Sequence, residues 1–212
     1  MKHAGTSTNA SEWRRFDAQQ FSGRVLDWQR WFAAADELQF AAELIRPQVI
    51  SWWIAVVAWR DTQVRPRAFP PLGCHSILMM LYAYVIENLC KGALIRDRRI
   101  DLSTTELPTP KLPPLLKGHG LRKLAGQVGM KCDDLEQELL ARMERAAVWR
   151  GRYPAAIRYD ESNDTVRLDS GKKHSTSWFA EKDIQRIETL IGRLRQHVEA
   201  TRSFTVARDA AP

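Results

Sequence analysis

Long hydrophobic runs are missing from this chain, and so are paired cysteines. The longest apolar stretches, residues 49–59 and 77–86, are shorter than the roughly 20 residues that span a bilayer, so no membrane partner is expected. Only three cysteines occur in 212 residues: Cys74, Cys90 and Cys132. They form no CxxC or other metal-ligand spacing, and an odd count fits a reducing compartment better than a disulfide framework. Residues 1–11 lack the apolar core of a signal peptide, which makes the cytoplasm the expected setting. There is no ExxH pair for a di-iron bundle, no Walker loop, no GxGxxG and no GxSxG. Neither a metal nor a cofactor is expected.

What is present is an ordinary hydrophobic content of 44% and a formal net charge of +7, with a sequence pI near 9.6. The chain is long enough for one globular domain with decorations. A basic balance permits recognition of phosphate or nucleic acid without requiring it.

The periodicity is helical almost throughout. Residues 1–22 read as a mobile N-terminal arm, parts of which Trp13 and Phe16 dock. From Val25, apolar residues recur at intervals of three and four, and Pro47 is expected to end that helix or open the next. Residues 49–60 are apolar nearly all round, which predicts a buried helix. Trp52, Trp53 and Trp59 are expected in the core or in a dimer face. Three prolines and a glycine make 62–73 a loop. A second apolar helix follows over 74–95, with Arg96, Arg98 and Arg99 at its end in the sense the helix dipole favours. Residues 100–118 hold four prolines and read as a long loop. A short helix is expected over 121–128. Asp133 and Asp134 then cap one over 135–149, with Leu135, Leu139, Leu140, Met143 and Ala147 on its apolar side. Residues 156–159 and 165–168 leave room for a small β-hairpin near 155–168, turning at Ser162-Asn163-Asp164. The last helix spans 179–200 with Ile184, Ile187, Leu190, Ile191, Leu194 and Val198 as its stripe. The fold class is therefore all-α, an antiparallel helical bundle. Residues 23–202 form a single domain and 203–212 a flexible tail.

The helix over 74–95 also carries the most informative chemistry. Glu87 and Lys91 sit four apart, in the favoured order for an ion pair, with Asn88 beside them. Charges on an otherwise apolar helix are costly unless paired. They either satisfy each other and a neighbouring loop, or open a polar notch toward a ligand or partner. His119 lies between two glycines at a helix start, where it either caps the helix or approaches a phosphate. Arg150 and Arg152 form a basic turn. They either neutralise helix C-terminal carbonyls and pair with an acid such as Glu87, or clamp a phosphate. A helix-turn-helix over 121–149 is disfavoured, because its second helix starts acidic.

In order, these pieces resemble the HEPN family. ENLCKGALI at the end of the 74–95 helix resembles the family's second long helix, with its embedded Glu and Lys. Gly118-His119-Gly120-Leu121 resembles its His-Asp-Leu helix start, with Gly120 in place of Asp. Residues 135–154, ending WRGRYP, resemble the third long helix and its Arg-Tyr-Pro turn. The resemblance covers about residues 74–200. It implies a helical bundle that forms a homodimer and binds RNA or a nucleotide through Glu87, Asn88, Lys91, His119, Arg150 and Arg152, in a defence or toxin–antitoxin type system. Many members are ribonucleases marked by an Arg and a His with four to six residues between them. That motif is absent at the WRGRYP turn. It is matched formally by Arg167 and His174, with Leu168 where a polar residue is usual. In RNA cleavage such a His would move the proton of the 2′-OH, and the Arg would neutralise the phosphate. A metal-independent endoribonuclease using that pair is thus one alternative. A non-catalytic structural or interaction module, with a purely architectural notch, is the other.

Overall fold

A computed structural model describes residues 7–64, 74–101, 103–105, 110–150, 165–167, 173–175 and 179–209. The described chain is all-α apart from one two-stranded antiparallel ribbon of three residues per strand. Its helices are α1 (Ser7–Leu26), α2 (Trp28–Thr62), α3 (His75–Arg96), α4 (Pro114–Lys117), α5 (Leu121–Gln127), α6 (Asp134–Arg145) and α7 (Glu181–Asp209).

Helix α3 is the centre of the bundle, as its all-round apolar character predicts. Leu78, Met79, Tyr82, Val85, Ile86, Leu89 and Leu94 are buried, and α2, α5, α6 and α7 all pack on it. Gly92 lets α2 come close: a Cβ there would lie 2.6 Å from a ring carbon of Phe32. At the far end, Arg96 donates to the Val198 carbonyl of α7 (2.8 Å). The stripe expected on α7 is buried in full, from Ile184 to Val198. A capping box starts α6. Asp133 accepts from the Glu136 amide (2.8 Å), and Glu136 accepts from the Asp133 amide (3.1 Å). A bidentate Arg142–Asp183 pair (2.7 and 3.0 Å), buried beside the Phe179 ring, fastens α6 to α7.

Several expectations need correction. Helix α2 does not break at Pro47 but runs through it for 35 residues. Pro47 lies on the exposed side of α2, where water can serve the carbonyl that loses its donor. The second half of α2 is not buried either. Its buried residues are Ala35, Ala42 and Val49, and Ile54 is 60% exposed. These three positions, seven apart, lie deepest against α3; beyond them Ile50 and Trp53 are half-buried, and Trp52 stacks on His75 at the start of α3 at 5.5 Å. The region read as an arm is helical over Ser7–Leu26, and Trp13 and Phe16 do not dock. Both are more than half exposed and pair edge-to-face with each other at 6.1 Å. Leu135 is exposed and lines an open cleft of about 430 Å³ between α6 and α7. By length and hydropathy both α2 and α3 reach membrane-span dimensions, since each helix extends past its strictly apolar run; α3 spends that surface inside the bundle and α2 does not.

The hairpin expected near 155–168 is not found as drawn. Thr165–Arg167 (β1) pairs antiparallel with Lys173–Ser175 (β2), so the ribbon lies further along the chain. Asp169-Ser170-Gly171 between these strands has turn chemistry equal to that of Ser162-Asn163-Asp164. Residues 156–159 lie outside the described residues.

Gly92→Ala should destabilise the protein by about 1–3 kcal/mol, because the added methyl overpacks the α2–α3 contact. Urea unfolding reads this directly; an unchanged midpoint would show that Phe32 gives way freely.

Candidate functional site

Tyr84, Glu87, Asn88 and Lys91 follow one another at helical spacing along one side of α3. Glu87 and Lys91 are both buried, so each must find its partners inside the protein. Lys91 Nζ donates to Glu87 Oε1 at 2.5 Å and to the Leu116 carbonyl at the end of α4 at 2.6 Å. It also stands 5.9 Å from the Trp31 ring of α2. The second carboxylate oxygen of Glu87 meets His119 Nδ1 at 2.8 Å. One carboxylate therefore joins α3 to the segment between α4 and α5.

His119 is the exposed member of this set, with 37% of its side chain open to solvent. A carboxylate only accepts hydrogen bonds, so the ring proton at this contact sits on Nδ1. In the neutral ring Nε2 is then the basic nitrogen, and in the protonated ring it is a second donor. The Tyr84 ring lies 5.9 Å from the imidazole, and its hydroxyl donates to the Ala147 carbonyl at 2.9 Å. That carbonyl belongs to a π-helical turn, Ala146–Arg150, which continues α6. Such turns widen the helix and leave backbone groups for other partners. The Tyr84 bond sets this turn, which ends at Arg150, beside the Glu87–His119 pair.

His119 does not cap α5. Gly120 holds the N-cap position and no side chain bonds there. Instead Glu144 of α6 reaches across and accepts from the Arg122 amide at 2.9 Å. Burial pushes the Glu144 carboxyl above its ordinary value, while the Arg122 amide and guanidinium hold it down. This bond fixes the start of α5, and with it the approach of His119. Glu144, Tyr84, Leu116 and Trp31 were not among the residues expected at the site. Tyr84 was the most accessible of these, since it precedes Glu87 by three positions and so shares its side of the helix.

The expected site residues therefore divide. Glu87, Lys91 and His119 converge. Asn88 does not join them, because its Nδ2 bonds back to the Tyr84 carbonyl of its own helix (2.7 Å). Among the described residues the partners of Glu87 are Lys91 and His119. The backbone of Arg150 ends the π turn, and Arg152 lies outside the described residues. Arg167 pairs with Lys173 and His174 with Val166; they occupy neighbouring rungs of the ribbon, and its register makes no Arg–His pair. Among the described residues no group of three or more His, Cys, Asp or Glu is arranged to hold a metal ion.

Fold and site together define an all-α protein in which a half-exposed histidine is oriented by a buried ion pair. Comparisons with protein-family models, curated proteins and solved structures found no match for this chain.

Glu87→Ala should cost about 3–5 kcal/mol in unfolding free energy, because it leaves the Lys91 ammonium buried without its counter-ion. Combining Glu87→Leu with Lys91→Met should recover most of that loss. A single variant as stable as wild type would mean that the ammonium finds water or another acceptor.

Proposed function

We propose that this chain is a HEPN-like module that works as a homodimer and binds RNA or a nucleotide, in a cytoplasmic defence or toxin–antitoxin type system. The observation that carries the reading is the convergence of Glu87, Lys91 and His119 beside the π-helical turn that ends at Arg150. Lys91 neutralises Glu87, so the carboxylate can orient the imidazole without making the rim of the notch anionic. Protonated His119 would offer Nε2–H to a phosphate oxygen, and the two arginines would add guanidinium donors. The excess of basic residues, +7 over the chain, favours the same ligand class.

The test is fluorescence anisotropy with a labelled single-stranded RNA, read across a salt series. Binding should weaken as salt rises. His119→Ala and the double variant Arg150→Ala/Arg152→Ala should each weaken it about tenfold, equivalent to about 1.4 kcal/mol. The RNA should remain intact throughout. Cleavage by wild type that disappears in His174→Ala would instead favour the endoribonuclease using Arg167 and His174. Absence of binding to RNA and to nucleotides would leave an architectural notch in an interaction module.

A further inference from the structure

Helix α2 carries two lengthwise stripes. The inner one, Ala35, Ala42 and Val49, packs on α3. The outer one is Phe40, Leu44, Pro47, Ser51, Ile54 and Ala58. Its spacing alternates four and three, the interval of a coiled-coil seam, and every member is exposed. Phe40 and Leu44 are each 64% exposed and Ile54 60%. No charge falls on this stripe; Glu37 and Asp61 continue its spacing and close it at either end. Of the apolar window in α2, only 11% is buried, against 72% for α3.

We infer that this outer stripe is the contact between two copies of the chain, with their α2 helices antiparallel about a twofold axis near Val49. It deepens the homodimer element of the reading above by naming the surface, and it does not depend on RNA binding. Three features support a second copy as the occupant.

The first is shape. About a twofold axis at residue 49, Phe40 faces the partner's Ala58, Leu44 faces the partner's Ile54, and Pro47 faces the partner's Ser51. Phe40 thus meets a small residue at each end, Leu44 and Ile54 form an apolar pair between, and the compact Pro47 and Ser51 meet at the centre, where the backbones can approach. The second is charge. Exposed Glu37 and Glu43 flank the N-terminal half of the stripe, with Asp36 beside them already paired to Arg195 at 2.7 Å, whereas residues 47–59 carry no charge. Antiparallel pairing sets the acidic half of one helix beside the neutral half of the other. Parallel pairing would oppose like charges, and an anionic lipid surface would repel them. At the ends Glu37 meets Asp61, which Arg60 already neutralises at 2.8 Å. The third is extent. The stripe is about 27 Å long on a helix about 10 Å wide. That is enough for the apolar centre of an interface whose polar rim completes the roughly 800 Å² per partner of a specific dimer.

The experiment is sedimentation equilibrium of the full chain without RNA, so that a failed dimer and a failed RNA-binding result are separate observations. Wild type should be a dimer. Leu44→Glu and Ile54→Lys should each weaken it at least tenfold while leaving the helical circular dichroism unchanged, since both side chains are exposed in the single chain. The double variant Leu44→Glu/Ile54→Lys should dimerise again, because each Glu then faces the partner's Lys. Parallel helices would instead oppose Glu to Glu and Lys to Lys. A monomeric wild type, a dimer indifferent to both single variants, a double variant that stays dissociated, or a monomer that floats with anionic vesicles would overturn the inference.

Discussion

A lysine ammonium lies in the middle of the bundle, and much of the local architecture follows from what it requires. Lys91 cannot stay charged there without close acceptors, and it has two, the Glu87 carboxylate and the Leu116 carbonyl. The first acceptor lies one turn back on α3. The second belongs to a different segment, so the α4 end must come to α3 for the ammonium to be satisfied. Glu87 in turn has an oxygen left over, and His119 takes it. A charge in the core thus determines where a loop docks and which nitrogen of a surface histidine faces outward.

The rest of the molecule is held unevenly around that centre. On one side, α6 and α7 are locked by the Arg142–Asp183 pair and a full apolar stripe. On the other, α2 buries Ala35, Ala42 and Val49 against α3, packs Trp31, Phe32, Ile45 and Trp53 half-buried beside them, and leaves Phe40, Leu44 and Ile54 on the outside. The protein therefore has one finished face and one unfinished one. The histidine site grows from the loop and turn that meet α3, while the apolar stripe lies on the back of α2. The proposed ligand site and the proposed contact between copies therefore lie on different parts of the same bundle.

The core helix and its ion pair were legible in the sequence. A run such as residues 77–86, apolar on every side, has no stable place except among other helices, and Glu87 and Lys91 at a spacing of four meet on any helix. The stripe of α7 and the Asp133 cap of α6 were legible for the same reason, since they depend on spacing along one segment. Pro47 misled because its cost depends on whether its side of the helix is wet. Residues 49–60 misled because hydrophobicity predicts a need for burial, and the burial need not come from the same chain. The expected hairpin was misplaced because two nearby stretches carry equivalent turn residues.

By itself the sequence determined the helices, their apolar stripes and the pairing of Glu87 with Lys91, because each of these arises from contacts within a few residues. Only the tertiary structure decided that His119 shares the Glu87 carboxylate, that Tyr84 and Glu144 position it, and that α2 presents its apolar back to solvent. Those outcomes rest on groups brought together from distant segments, and periodicity along the chain carries no information about which segments meet.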